Sequence, residues 1–338
     1  MFERLSRQGC DWSAACLLVA VTIPLFLVGL GDRYIWIPLE ARYALVAREM
    51  WEGGQWIIPH LGGAVYPDKP PLLFWAIALA SSLGAGVSEW TARLPSALAA
   101  VGVCLWTWRL GAQLFSPHAG LIAALVLATS AGFFWSGRQA LPDMLLTLWI
   151  TGACWALWQW LGANRRNAAI LAGVCMGLAT LTKGPVGFLL PALTGLAYLT
   201  LQRNWHSARP RESLLCVGSF LVTALTWYLP AVAQGGISYA QATLIHHSLE
   251  RYVHAWEHTA PWYFYIWAFP AEFLPWTLFL PQVFGAVRSK QDHLRGWWFL
   301  VGWLVTVLIF FSVSTGKRDI YILPAYPAAA LLVGWIWS

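Results

Sequence analysis

"YPDKPPLLFWAIALASSLGAG", residues 66–86, decides how the whole chain is laid out. Within it an apolar run, 70–84, follows an Asp68-Lys69 pair, opens on Pro70-Pro71 and gives way to a Ser- and Gly-rich tail. The run is shorter than the roughly 20 residues that carry a helix across a bilayer. It either crosses or lies along the interface as a juxtamembrane helix. That choice sets the side of every later loop.

The surrounding composition fixes the solvent. Of 338 residues, 59% are hydrophobic and only 11% charged, with 24 tryptophans, and the mean hydropathy is +0.58. Soluble domains carry about a quarter charged residues, so the chain is expected to be an all-α polytopic membrane protein. The formal charge of +6 does not point to nucleic acid, because the basic residues punctuate the gaps between apolar runs instead of clustering. Six cysteines (Cys10, Cys16, Cys104, Cys154, Cys175, Cys216) fall in or beside those runs without a CxxC, and read as packing residues.

The first apolar run lies within residues 1–31, and others cover 94–113, 119–136, 144–161, 168–182, 185–201, 213–233, 262–286, 296–314 and 320–338. Arg4 and Arg7 flank the first run and keep the N-terminus cytoplasmic. If 70–84 does not cross, three basic loops fall inside with it: Arg165 and Arg166; Arg203, Arg209 and Arg211; Arg288, Lys290 and Arg295. If it crosses, all three fall outside. The bias of basic residues toward the cytoplasm selects the noncrossing layout. Glu40, Asp68, Lys69, Asp143, Lys183, Arg251, His258, Lys317 and Arg318 then gather at the outer face.

The result is one domain over 1–338 with about ten or more transmembrane helices. Its first extracytoplasmic loop, about 31–90, is too long for a mere connector. The last run ends at "LLVGWIWS" with no polar tail, which predicts further chain beyond it. Within the loop, "EARYALVAREMWEGG" (40–54) is a short helix with Tyr43, Val46, Ala47 and Met50 on one face, closed by Gly53-Gly54. Carboxylates, basic groups and a tyrosine held beside the bilayer suit an anionic substrate partly embedded in lipid.

The stretch "EARYALVAREMWEGGQWIIPHLGGAVYPDKPPLLFW", followed by "RLPSAL", resembles the GT-C superfamily of polyprenyl-phosphate-dependent glycosyltransferases. It is most similar to the bacterial lipid A 4-amino-4-deoxy-L-arabinose transferases and their protein O-mannosyltransferase relatives. The likeness continues through "LPDMLLTLW", "LATLTKGPVGFLLP", "HHSLERYVHAWEHTAPWYFY" and "STGKRDIYILPAYP". It implies a first outer loop of juxtamembrane helices and an inverting transfer at the periplasmic face of the bacterial inner membrane. The donor it implies is an undecaprenyl-phosphate sugar and the acceptor lipid A or another envelope glycolipid, with no required cofactor. A protein acceptor is the near alternative.

By the same resemblance, Arg42 and Tyr43 match the family's RY pair, Tyr66 and Lys69 flank its acid-Lys-Pro element, and Asp143 matches the acid of the second outer loop. Lys69 would bind the donor phosphate. Some relatives hold a divalent cation between the acid at Asp68 and a later histidine, here His246 or His247, although one carboxylate and one imidazole do not close a metal site. One departure stands out. Relatives carry adjacent acids before the RY pair, and the first of these, the presumed catalytic aspartate, is Leu39 here.

The chemistry can also be stated without the family. A departing phosphate needs fixed cations in a site of reduced dielectric, for which Lys69, Arg251, Lys317 and Arg318 are the candidates. The acceptor needs a carboxylate, Glu40 or Asp143, and Tyr43, Tyr66 and Tyr321 would pack the sugar and isoprenoid. Lys183-Gly184-Pro185 reads as a tight turn between helices. A transporter would place ionisable groups near the bilayer midplane, and a protein that only binds polyprenyl phosphate would account for Leu39.

Overall fold

The computed structural model of the protein describes residues 12–35, 38–84, 86–243, 259–287 and 294–337. His246, His247, Arg251, His258, Arg288 and Lys290 lie outside the described residues. The chain opens with α1 (Trp12–Leu27) and α2 (Pro38–Gly53), then a small hairpin of β1 (His60–Leu61) and β2 (Ala64–Val65), then α3 (Leu72–Ser81). There follow α4 (Glu89–Leu114), α5 (Pro117–Ala128), α6 (Ala131–Gly137), α7 (Pro142–Leu157), α8 (Ala168–Lys183) and α9 (Val186–Gln202). The series closes with α10 (Pro210–Gln241), α11 (Phe264–Glu272), α12 (Leu280–Ala286), α13 (Leu294–Val313) and α14 (Tyr326–Ile336).

Among the described residues, five helical stretches are long and apolar enough to cross a membrane: Glu89–Leu114, Pro142–Gly162, Pro210–Tyr239, Leu294–Val313 and Asp319–Ile336. The α5–α6 pair makes a sixth if it is one bent span, and α8 and α9 are shorter apolar helices. The run that decided the layout is α3, whose ten residues reach about 15 Å, half the thickness of the hydrocarbon layer. Its Leu73, Phe74, Ile77 and Ala78 are buried, where it packs between α2 and α4.

Three expected single spans are interrupted. The run 119–136 bends by 70° between α5 and α6, where Ser130 takes an extended conformation. The run 262–286 breaks into α11, a 3₁₀ segment over Trp276–Phe279, and α12; Pro275 lacks the N–H that would continue the helix. These two breaks meet. The Ala131 N–H donates to the Leu274 carbonyl at 2.9 Å, and the Trp276 indole donates to the Thr129 hydroxyl at 3.0 Å. The run 320–338 begins as a 3₁₀ helix over Asp319–Ala325 before α14.

Among the described residues the hairpin is a small departure from a mostly helical structure. Gly62 and Gly63 adopt φ of 63° and 77°, the conformation a two-residue hairpin turn demands. Glu49 of α2 accepts both of their N–H groups, at 2.7 and 3.2 Å.

At the centre of the bundle α4 packs on α5 and α7, α8 on α7 and α10, and α14 on α5. Lipid offers no hydrophobic drive between helices, so close backbone approach through small residues takes its place. A Cβ on Gly173 of α8 would lie 2.1 Å from the Cys216 carbonyl oxygen of α10. Gly218, on the same α10, has nothing within 4 Å of that position. Gly173→Leu is therefore expected to force α8 from α10 and lower the detergent melting temperature by several degrees, at a cost of about 1–3 kcal/mol or more. Gly218→Leu should melt like the native protein.

Candidate active site

The residues of the first loop are organised by one buried ion pair. Glu40, in the first turn of α2, is 0% exposed and Arg93 of α4 is 1% exposed. Arg93 donates Nε and Nη2 to the two carboxylate oxygens, each at 3.1 Å. Arg33 approaches the same carboxylate at 3.1 Å, and the Ala140 N–H donates to it at 2.9 Å. The rest of the guanidinium is spent on backbone: Arg93 Nη1 donates to the carbonyls of Leu30 and Arg33, at 3.0 and 2.6 Å, and Nη2 to that of Tyr34 at 3.2 Å. Glu40 was one of two expected acceptor-facing carboxylates. The structure places it as a brace, both oxygens engaged.

The brace delivers Asp143. Ala140 lies in the link between α6 and α7, three residues ahead of Asp143, and Ser96 of α4 donates to the next carbonyl in that link, Leu141, at 3.2 Å. Arg138, in the same link, donates to the carbonyls of Leu25, Phe26 and Val28, which closes the end of α1. Asp143 itself follows Pro142 in the first turn of α7. A carboxylate is favoured there by the unpaired N–H groups and the helix dipole.

Asp143 is 5% exposed and ion-paired with Lys183. Lys183 ends α8, where a cation is favoured by the opposite end of a helix dipole. Gly184 stops the helix with φ 77°. The ammonium also lies 4.3 Å from the centroid of the Tyr321 ring. Sequence reasoning places Lys183 at the outer face and in a turn, without a site role. A lysine ending an apolar helix, opposite an aspartate beginning another, was the signal available.

Tyr43 and Tyr66, both buried, stand against Phe74 of α3 with ring centroids 6.1 and 6.3 Å away. Lys69 and Asp68 are half-buried, and the Lys69 ammonium donates to the Asp68 carbonyl at 2.9 Å. Arg42 is exposed. The segment after Lys69 is tied to the end of α8, since Leu72 and Trp75 pack in one apolar cluster with Leu181, Trp227 and Tyr239. Two indoles hook the loop backbone into place: Trp227 donates to the Ile57 carbonyl at 2.7 Å and Trp75 to the Trp56 carbonyl at 2.8 Å.

Lys317 and Arg318 enter from the turn after α13. Lys317 is 5% exposed and donates to the Ser314 carbonyl; burial pushes its pKa below the ordinary lysine value. The Arg318 backbone is held by Tyr265, whose hydroxyl donates to the Arg318 carbonyl at 3.0 Å. The ring of Tyr321 rests on Phe311, 5.6 Å away. His247 and Arg251, expected here, and the histidine expected to share a cation with Asp68, lie outside the described residues.

Because the α7–α8 pair joins at Asp143 and Lys183, the two helices are antiparallel and Arg165 and Arg166 fall at the far end of the bundle. Arg166 there meets Glu212 of α10 at 3.4 Å.

Two outcomes follow from these contacts. Glu40→Ala leaves Arg93 buried without its counterion and is expected to destabilise the protein by about 3–5 kcal/mol, whereas Glu40→Gln with Arg93→Met should recover much of the loss. Detergent melting curves of the three proteins check this. For Lys317, the unfolded chain binds more protons than the folded one between the depressed folded pKa and the ordinary value. Stability should therefore rise with pH across that window, and Lys317→Met should abolish the rise and melt higher at neutral pH.

Residues 68–229 match the dolichyl-phosphate-mannose-protein mannosyltransferase family. The undecaprenyl phosphate-alpha-4-amino-4-deoxy-L-arabinose arabinosyl transferase of Pseudomonas aeruginosa (strain LESB58) is 34% identical over 328 residues, covering 94% of this chain and 59% of that protein. That of Edwardsiella ictaluri (strain 93-146) is 31% identical over 336 residues, covering 94% of this chain and 58% of that one. The chain thus spans less than two thirds of the relatives it matches. The crystal structure of ArnT from Cupriavidus metallidurans bound to undecaprenyl phosphate superposes with a TM-score of 0.87 at 27% identity, over 97% of this chain and 60% of ArnT. The archaeal oligosaccharyltransferase AglB from Archaeoglobus fulgidus, at 15% identity and a TM-score of 0.59, over 96% of this chain and 50% of AglB, shares the fold alone. The stretch 68–229 thus matches the dolichyl-phosphate-mannose-protein mannosyltransferase family model, in a chain whose fold is similar to that of ArnT.

Proposed function

We propose that the protein moves 4-amino-4-deoxy-L-arabinose from undecaprenyl phosphate to lipid A, the donor and chemistry printed in its relatives' names and the acceptor their class implies. The proposal includes ten or more membrane helices in a bacterial inner membrane, with α2 and α3 lying at the interface and the site on the periplasmic side. One observation carries it. A buried carboxylate, Asp143, sits beside the Lys183 ammonium and the Tyr321 ring, in a chain that superposes over 97% of its length on ArnT holding undecaprenyl phosphate.

In this reading an acceptor oxygen attacks the anomeric carbon from the face opposite the phosphate. The new carbon–oxygen bond forms as the carbon–phosphate-oxygen bond breaks with inversion, and undecaprenyl phosphate leaves with the electron pair. Lys69, Lys317 and Arg318 stabilise that charge, with Arg251 a further candidate, in a site of low dielectric. Asp143 receives or orients the acceptor proton. Glu40 is not assigned this role, because its oxygens hold the brace. Tyr43 and Tyr66 pack the isoprenoid, with Arg42 at the loop surface. The family match over 68–229 also favours a protein acceptor as the second reading.

The test is transfer by purified protein in nanodiscs, with a polyprenyl-phosphate aminoarabinose donor and lipid A or a protein acceptor, read by mass spectrometry. Asp143→Asn is expected to slow transfer by about 10²- to 10⁴-fold. Lys69→Ala should lose roughly 10- to 150-fold at limiting donor, the worth of one charge-assisted contact of about 1.5–3 kcal/mol. Native-like turnover by Asp143→Asn removes it from the mechanism. Transfer to protein and not to lipid A selects the second reading, and no transfer from any donor overturns both.

A further inference from the structure

The Lys183 ammonium competes with any acceptor for the Asp143 carboxylate. Its Oδ1 is engaged by Lys183, and both side chains are largely buried, at 7% and 14% exposure. The pair is made by the start of one helix and the end of another, so little backbone motion is available to part it. The flexible group is the lysine, with four methylenes between its backbone and its charge. The same Nζ, while paired with Asp143, already lies 4.3 Å from the Tyr321 ring, and because aromatic faces attract cations that ring keeps a partner for the charge as the carboxylate contact lengthens.

The end of α8 also borders the segment that brings in Lys69. Leu181, two residues before Lys183, shares an apolar cluster with Leu72, three residues after Lys69. The start of α3, just after Lys69, and the end of α8, just before Lys183, are thus neighbours, and in such surroundings ion pairs compete strongly because water is scarce.

We infer that Lys183 is a donor-responsive positioning residue: polyprenyl phosphate draws its ammonium from Asp143 and thereby opens the carboxylate to the acceptor. This rests on the proposed roles of Asp143 and Lys69 in transfer from a polyprenyl phosphate. No covalent bond changes in the step; one ion pair is exchanged for another. It imposes an order of binding, polyprenyl phosphate before acceptor, and keeps the carboxylate covered while no polyprenyl phosphate is bound.

The experiment measures the affinity of undecaprenyl phosphate for native protein, Asp143→Asn, Lys183→Met and the double variant, in nanodiscs, with melting curves as a check of folding. Asp143→Asn frees Lys183 beforehand and is expected to tighten binding roughly tenfold or more. In the Lys183→Met background the same change should have no such effect. Equal tightening in both backgrounds means simple relief of charge repulsion, and no tightening means no competition; either overturns the inference. If a single variant does not fold, native protein carries the test. Undecaprenyl phosphate should raise carbodiimide labelling of Asp143, read by peptide mass spectrometry, and unchanged or reduced labelling overturns the inference. Binding by native protein with an additive cycle sinks only the Lys183 role, whereas no binding of undecaprenyl phosphate at all sinks the proposed function with it.

Discussion

A carboxylate with no access to water has to be fully satisfied, and Glu40 is satisfied from four directions. The consequence is architectural. The Arg93 side chain binds the end of α1 and the beginning of the first loop, the carboxylate belongs to α2, and the Ala140 N–H belongs to the link that launches α7. Three stretches distant in sequence, residues 30–40, Arg93 and Ala140, share one charge pair. Remove Glu40 and Arg93 is an uncompensated charge in a dry interior; remove Arg93 and Arg33 alone is left to balance the carboxylate, so the loop, α4 and the approach to Asp143 depend on one another.

Helix polarity explains why the chemistry collects where it does. Antiparallel neighbours place the N-terminus of α7 beside the C-terminus of α8, so a carboxylate and an ammonium each stand at the helix end that favours them. Their mutual attraction is weakly screened in low dielectric. Around them, aromatic rings take the place that water would hold at a soluble enzyme's cleft: Tyr321 beside Lys183, and Phe74 between Tyr43 and Tyr66.

Local periodicity was readable, and distant pairing was not. The buried face of α2 is Tyr43, Val46, Ala47 and Met50, as its spacing predicts, because one helix's amphipathicity is written in contiguous residues. Asp143 was legible as a polar residue opening an apolar run. The pairing of Glu40 with Arg93 is not legible, because the two stand 53 residues apart and nothing near either residue announces the other. The pairing of Lys183 with Asp143, 40 residues away, escapes for the same reason. The bend in 119–136 escaped because Thr129 and Ser130 are unremarkable inside an apolar run; what breaks that helix is the partner waiting at Leu274. The motif order was the strongest guide to family, since composition alone describes any polytopic protein.

The meeting of two interrupted helices has a bearing on how such a chain changes over generations. Inside hydrocarbon an orphaned peptide group has no solvent to turn to, yet each break supplies what the other lacks, Leu274 offering a carbonyl to Ala131 and Thr129 a hydroxyl to Trp276. Each interruption is hydrogen-bonded by the other. Straightening the first would strand the Leu274 carbonyl, and inserting a residue into the second would swing the Trp276 indole off its partner. These two stretches, more than a hundred positions apart, are therefore one heritable unit, free to drift only in step.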